Sequence, residues 1–491
     1  MTERCAALLK ALQALLGDAA VLVPCGPDDP TFVRQQTDWR GRYKGHALAI
    51  VRPNSTQELA ATVSLCAQFG VSIVAQGGHT GLVGGGVPDA SGEQIVLSLQ
   101  RLNRILSIDT INLSMTVQAG CLLSTVQEAA DAAGLLFPLS LASEGSCTIG
   151  GNLATNAGGT QVLRYGTARE LCLGLEAVTA QGEVWPQLKS LRKDNTGYDL
   201  RDLLIGSEGT LAIITAASLR LFPKPNSRLA ALIACDTIEQ ALELLANARA
   251  TLDASLTGFE IMHRYPVELT LKHHPDQAVA ASQLIASNPA TTRPNQVPEW
   301  IVLLDAASPA ALEHLQARVE ALLEQAIQTG VVHHVCVSQT QTQYKAMWAL
   351  REAIPLSEKA EAQMVKHDVG VPTSQIAAFI NLAHAKLTAT FPSCRIVCFG
   401  HLGDGNLHYN VQAPPEITGF DFLAKHEHDV NQIVYDITQQ LGGTISAEHG
   451  IGQLRKDELG QRQSSVSTNW MRAIKKALDP MNTLNPGRLV P

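Results

Sequence analysis

The sequence predicts a mixed fold, α+β in class, divided into at least two domains. Three observations predict it. The 491 residues are too many for a single hydrophobic core. Short β-rich runs separated by small-residue loops fill residues 45–223, whereas longer helical stretches alternate with strands beyond residue 226. Between the two regions lies Pro223-Lys224-Pro225-Asn226, a short proline-rich polar boundary.

Composition narrows the classes of function. Hydrophobic residues make up 45% and charged residues 17%, ordinary values for a soluble globular protein. A net charge of −8 leaves no nucleic-acid footprint. No apolar run reaches the ~18 residues that a membrane span needs. The ten cysteines include no CxxC, so neither an iron–sulfur cluster nor a disulfide framework is signalled. Reduced thiols in a cytoplasmic-type compartment are the default.

Residues 1–44 read as an N-terminal helix and lead-in. Leu8, Leu9, Leu12, Leu15 and Leu16 recur at helical spacing, and Gly17 is placed to stop the run. An amphipathic helix docked on the body fits better than a mitochondrial presequence, which is rich in Arg and Ser and poor in acids. In residues 45–223 strands are expected at 48–51, 72–75, 94–99 and 211–215, with a helix over 56–68. In residues 226–440 strands are expected at 228–235, 300–305, 395–399 and 407–411, and helices at 237–252, 309–328 and 427–440. Residues 441–491 form a last segment, opening through Gly442-Gly443 into Glu448-His449.

Three glycine-rich loops stand out in the first region. The stretch from Gln76 to Gly86 follows a strand and carries six glycines. It is neither a Walker loop, which needs GK[ST], nor a Rossmann G-x-G-x-x-G. Its successive N–H groups can still form a nest for a pyrophosphate. The stretch from Ile149 to Gly159 is uncharged and made of very small residues, suited to close backbone approach by a flat ligand. Gly206-Ser207-Glu208-Gly209-Thr210 opens onto a strand. Any one of them could be a mere turn; three in one domain favour a dinucleotide site.

The second region carries Phe399-Gly400-His401-Leu402-Gly403-Asp404-Gly405-Asn406-Leu407-His408. Asp404-Gly405 predicts a hairpin with a two-residue loop. Residues whose numbers sum to 809 should then face each other, placing His401 opposite His408 with Cβ atoms roughly 5 Å apart. Two imidazoles so placed suit a divalent metal, with Ala447-Glu448-His449-Gly450 able to add a third ligand. They also suit simple stacking on a wet sheet face.

Together with Leu191-Arg192-Lys193-Asp194-Asn195-Thr196-Gly197-Tyr198-Asp199-Leu200, the run from Ser446 to Gly452 and the terminal Leu484-Asn485-Pro486, these segments carry a resemblance. From about Asp38 to its end the chain resembles the FAD-dependent D-2-hydroxyacid dehydrogenases. The resemblance implies an FAD-binding domain over 45–223, with the two-subdomain fold of the vanillyl-alcohol-oxidase/p-cresol-methylhydroxylase type. An α+β substrate cap with an antiparallel sheet would occupy 226–440, and 441–491 would return to the flavin. Cofactor contacts are implied at Gln76, Gly77, Gly78, His79, Thr80, Gly81, Leu82 and Gly85. They are also implied at Gly145, Gly150, Gly151, Asn152, Ala154, Asn156, Gly158, Gly159, Gly206, Glu208, Gly209, Ile213 and Asn485. His401, His408 and Glu448 fall on the family's zinc positions, which manganese or cobalt could also fill. His449 falls on its catalytic base, and Arg351, Lys366 and Asn410 on substrate contacts.

The chemistry so implied is oxidation of D-2-hydroxyglutarate or a close D-2-hydroxy dicarboxylate such as D-malate. Flavin N5 would take the hydride. A bound divalent ion would lower the pKa of the substrate hydroxyl, and a histidine's ordinary pKa of about 6.5 suits it to take the proton. An arginine grips a carboxylate with two parallel hydrogen bonds. Two positions depart from the pattern. Pro355 stands where relatives can carry a hydroxyl that touches the distal carboxylate, and proline cannot donate. His79 follows Gly-Gly where distant members of the fold bond a histidine to the flavin; a turn residue that tolerates positive φ is the simpler account. The alternatives are a D-lactate or glycolate enzyme of the same fold and, in another class, a zinc-binding protein without redox activity. The expected partners are a small 2-hydroxyacid and an electron acceptor, be it an electron-transfer flavoprotein, a quinone or a partner subunit. A homodimer fits too, as does residence in the cytoplasm, or in the mitochondrial matrix of a eukaryote.

Overall fold

The computed structural model describes residues 2–26, 29–286 and 296–490. They divide into two units. One comprises Met1–Gly159, Gly166–Lys224 and Glu448–Pro491; the other comprises Thr160–Tyr165 and Pro225–Ala447. The division after Lys224 lies inside the proline-rich stretch. The later one falls at Glu448 instead of 441, because residues 444–447 extend the second unit's sheet. Gly370 and Thr444 exchange backbone hydrogen bonds, and the Ala447 amide donates to the Asp368 carbonyl at 3.1 Å.

In the first unit, helix Glu3–Leu16 starts where the Thr2 side chain accepts from the Cys5 amide and stops at Gly17, φ +81°. It buries Cys5, Leu8, Leu9 and Leu12, while Leu15 stays 40% exposed, so the apolar stripe is narrower than its leucines implied. The stripe shares a core with Leu59, Val63 and Cys66 of helix Thr56–Gln68. That helix is capped by Ser55, which accepts from the Glu58 amide, and by the Glu58 side chain, which accepts from Asn54. Beneath it lies a four-stranded sheet ordered Val21–Leu22, Ala47–Val51, Gln94–Ser98, Ile73–Gln76. Its last three strands are mutually parallel, and two of them are buried at every position, as parallel strands usually are. A second, antiparallel sheet runs Ile105–Asp109, Ser114–Gln118, Ile213–Arg220, Cys172–Val178, Val184–Gln187.

The second unit is built on an eight-stranded antiparallel sheet. Its order is His334–Val337, Ser227–Cys235, Trp300–Ser308, Leu256–His263, Arg395–His401, Asn406–Gln412, Met364–Val365, with Asp368–Gly370 also paired to Asn406–Gln412. One face packs under helices Ile238–Leu252, Leu312–Gln328, Ile376–Thr390 and Gly419–Gln440. Leu244, Leu315, Val319 and Leu322 are fully buried there, each worth roughly 1.5–3 kcal/mol. The other face is covered in part by Arg264–His273, Val279–Ala286 and Gln341–Glu361. The last of these opens with a capping box between Thr340 and Gln343. Helix Gly419–Gln440 begins two turns earlier than its apolar spacing indicated, because Thr418 caps it through Asp421.

Candidate active site

Each unit carries some of the residues singled out from the sequence. In the first, strand Ile73–Gln76 ends in the glycine loop, which lies directly on residues 146–148. A Cβ on Gly77 would come within 2.3 Å of Thr148 Oγ1, and one on Gly78 within 2.0 Å of the Ser146 carbonyl. The loop can therefore lie this close to residues 146–148 only because both positions are glycine. The two segments wall a cleft also lined by Gly81, Gly85, Gly150, Gly151, Asn152, Ala154, Glu208, Gly209, Ile213, His449 and Asn485. Of the residues implied as cofactor contacts, Leu82, Gly145, Asn156, Gly158, Gly159 and Gly206 lie off its lining. Gly145 is exposed on the surface. Asn156 instead braces the turn at Thr167 and Arg169 with its side-chain oxygen. The Gly206 amide donates to the Leu153 carbonyl, and Gly159 donates its amide to Glu448 Oε2 at 3.1 Å.

The cleft suits a polar ligand such as a flavin dinucleotide. Thr148 Oγ1, Gln76 Oε1 and Asn485 Oδ1 are buried, line it, and have no hydrogen-bond partner among the described residues. Buried polar atoms of this kind call for a ligand. Thr148 escaped the sequence reading although it adjoins the second glycine segment. His79 takes a left-handed backbone, φ +59°, and its Nε2 lies 2.7 Å from the Thr37 carbonyl. Burial pushes its pKa down, against the pull of that carbonyl; a neutral ring donating from Nε2 satisfies both.

The C-terminal segment is pinned to the cleft from two sides. Ile73 receives the chain end as a strand partner, its amide donating to the Thr483 carbonyl and its carbonyl accepting from Asn485. Lys475 Nζ reaches Asp479 Oδ2 at 2.5 Å and the carbonyls of Thr210 and Leu484, both at 2.8 Å. Asp479, 1% exposed, accepts in addition from the amides of Thr483 and Leu484. Burial alone would raise its pKa, but Lys475 and the two amides outweigh burial and hold it below the ordinary carboxylate value. On the other side Glu208, in a left-handed turn at φ +52°, accepts from the amides of Ile451 and Gly452, both at 2.7 Å. Burial still pushes its carboxyl upward. His449 lines the cleft, its Nε2 3.9 Å from Glu448 Oε1.

In the second unit the hairpin departs from its expected register. His401 pairs with Asn406 and His408 with Phe399, so partners sum to 807. The reason is the turn. Gly405 has positive φ, +88°, but Asp404 does not, and the His401 carbonyl accepts from both the Asp404 and the Gly405 amides. The loop is thus four residues long. The slip preserves side-chain parity, so the two histidines stay on one face as diagonal neighbours, ring centroids 6.0 Å apart. Asp368 lies directly opposite His408, and their ligand atoms are within 4.8 Å. It was missed although Lys366, two residues earlier, was singled out.

Arg351, Lys366 and Asn410 converge on the same sheet face, each through a buried glutamate. Arg351 Nε donates to Glu260 Oε2 at 2.8 Å, while Glu260 Oε1 lies 2.7 Å from His401 Nδ1. Lys366 Nζ donates to Glu358 Oε2 at 2.7 Å, and Asn410 Nδ2 to Glu358 Oε1 at 2.6 Å. Both carboxylates are 1% exposed. Burial pushes Glu260 up, but His401 and Arg351 together hold it below the ordinary value. The Arg351 guanidinium also stacks 4.7 Å over Phe399. Glu358 stands seven residues after Arg351 on helix Gln341–Glu361, hence on the same face. Pro355, inside that helix, leaves the Arg351 carbonyl without its helical donor.

A glycine-walled cleft with orphaned polar atoms in one unit, and cations gathered on a sheet face of the other, fit a flavin-dependent oxidoreductase. Comparison with known proteins gives the same class. Residues 224–489 match the family model of the C-terminal domain of FAD-linked oxidases, and residues 47–186 match an FAD-binding domain. The chain belongs to the FAD-linked oxidase family and binds FAD. It is 38% identical to a D-2-hydroxyglutarate dehydrogenase of Xanthomonas citri pv. viticola, over 92% of this chain and 91% of that one. It is 36% identical to a mitochondrial D-2-hydroxyglutarate dehydrogenase of Bos taurus, over 92% and 79% of the two chains. In fold it matches p-cresol methylhydroxylase with substrate bound, with a TM-score of 0.73 at 16% identity over 99% of this chain and 97% of that one.

Proposed function

We propose that the protein oxidises D-2-hydroxyglutarate, or a close D-2-hydroxy dicarboxylate such as D-malate, to the 2-oxoacid. The observation that carries this reading is the convergence of Arg351, Lys366 and Asn410 with the hairpin histidines on one sheet face. Two cations in addition to a metal serve two carboxylates better than one. FAD, when bound, supplies the hydride acceptor. Arg351 offers its Nη groups to a carboxylate, since the glutamate contact uses Nε. Lys366 and Asn410 orient the remainder of the substrate. His449 takes the hydroxyl proton at Nε2, and Glu448 stabilises the imidazolium that results.

His401, His408 and Glu448 are the proposed ligands of a divalent cation, zinc, manganese or cobalt. The donor chemistry supports this: two imidazoles on one sheet face, His401 backed by the buried Glu260 and His408 with Asp368 opposite it as a further candidate ligand. Such an ion would acidify the substrate hydroxyl. Electrons then pass to an acceptor such as an electron-transfer flavoprotein, a quinone or a partner subunit. Ten free cysteines, eight of them buried, fit a reducing cytoplasm or mitochondrial matrix. Among the described residues no helix is long and apolar enough to cross a membrane.

The test is a panel of D-2-hydroxyglutarate, D-malate, D-lactate and glycolate with a dye acceptor, with and without a chelator. Fastest turnover of a dicarboxylate, lost with the chelator, is expected. Faster turnover of a monocarboxylate would sink the dicarboxylate reading, and a colourless protein unresponsive to FAD would sink the redox reading altogether.

A further inference from the structure

We infer that Glu260 is a positioning residue that anchors a substrate-gripping arginine and a metal-ligating histidine on one carboxylate. The inference rests on the roles proposed above for Arg351 and His401. Its ground is geometric. Glu260 sits on the central strand Leu256–His263, directly opposite His401 in register, with 1% of its surface exposed. Each of its oxygens has a different partner, His401 Nδ1 at 2.7 Å and Arg351 Nε at 2.8 Å. A carboxylate buried this deeply is costly unless both oxygens are matched, and here the partners come from a different strand and from a helix.

Two consequences follow. Donation from His401 Nδ1 to Glu260 fixes the tautomer, leaving Nε2 with the lone pair that a cation needs. Capture of Arg351 at Nε fixes the guanidinium plane, which Phe399 also backs, and leaves the outer Nη edge for a substrate carboxylate. Metal position and substrate-carboxylate position are thereby referred to one side chain. Glutamine has the same shape but one acceptor and one donor, and cannot satisfy two donors. In Glu260→Gln either His401 loses its tautomer or Arg351 loses its anchor, and exchange between the two orientations weakens both.

The experiment uses the FAD-loaded enzyme, stripped of metal and titrated with zinc against a chromophoric chelator. The KM and kcat for D-2-hydroxyglutarate are then measured at saturating zinc. For Glu260→Gln we expect zinc affinity to fall on the order of 10–100-fold, the usual cost of losing an outer-shell partner. We expect KM to rise severalfold or more, with a smaller change in kcat. Glu260→Asp, one methylene too short to reach both partners, should shift both quantities as well, and it decides the matter if the glutamine variant does not fold. A folded variant in which zinc affinity or KM stays within twofold of the parent overturns the shared anchor. A parent enzyme that oxidises the substrate but takes up no zinc also overturns it, while leaving the flavin reading intact. A parent that turns over none of the four hydroxyacids condemns the function instead.

Discussion

Replacement of Asp479 by asparagine tests how the chain end is held in the flavin cleft. The carboxylate accepts from Lys475 and from the amides of Thr483 and Leu484, immediately before Asn485. Asparagine keeps the shape but turns an amide NH2 toward one of these donors and cancels the charge opposite Lys475. Removing one partner of a buried ion pair costs about 3–5 kcal/mol. The low end applies, because Lys475 retains two carbonyl acceptors and its side chain is 12% exposed. At about 3 kcal/mol, and ~2–4 °C per kcal/mol for a unit of this size, the transition should fall by roughly 6–12 °C. The assay is thermal release of FAD, followed by flavin fluorescence, alongside FAD affinity at 25 °C; affinity should weaken because Asn485 lines the cleft. The sign with pH is fixed. Asp479 has a depressed folded pKa, so its contribution is fully present above the unfolded value near 3.9 and is lost as pH falls through the folded value. The gap between parent and variant should therefore be constant at neutral pH and close in strong acid. A variant within 1 °C of the parent, with unchanged FAD affinity, would refute the reasoning.

Two further outcomes are expected. Lys366→Met leaves Glu358 buried with one donor, Asn410, and should lower the urea stability of the second unit by about 1–2 kcal/mol, less than a fully buried pair because Lys366 is 30% exposed. Adding Glu358→Gln should restore stability but not KM; a double variant no more stable than the single would count against the pairing. His79 is held by the Thr37 carbonyl and a left-handed turn, so acid precipitation should release all FAD into the supernatant and leave a colourless pellet. Yellow colour retained in that pellet would instead establish a covalent link through this residue.

Much of the architecture was legible because local signals agreed with it. Helix Thr56–Gln68 matched its expected span, since Ser55 and Glu58 announce its start and apolar spacing carries it. The hairpin strands and the shared face of His401 and His408 were legible from alternation, a period-two property that survives a slip of two in the pairing sum. The loop was not, because Asp404 declines the positive φ that a two-residue turn requires. Arg351, Lys366 and Asn410 were within reach of a motif, but their partners were not. Glu260 is 91 residues from Arg351 and 141 from His401, and nothing local in a strand reading Leu-Thr-Gly-Phe-Glu-Ile-Met-His says which distant donors a lone glutamate will meet. Glu358 was nearer to view, seven residues past Arg351 on one helix face, yet a glutamate there reads first as a solvated charge.

The order in which the chain builds the flavin cleft bears on how the protein is made. Its glycine walls come from residues before Lys224, whereas His449 and Asn485 follow the whole Pro225–Ala447 stretch. At about 5–20 residues per second on a ribosome, roughly ten seconds or more separate the emergence of the first walls from that of the last. During that interval the nascent first unit exposes an open, glycine-rich half-cleft that lacks the Glu208 and Asp479 clamps. A complete cleft lining therefore exists only once the chain end near Asn485 has been made. Scarcity of flavin should then show itself in the yield of newly made protein before it shows in the stability of mature enzyme.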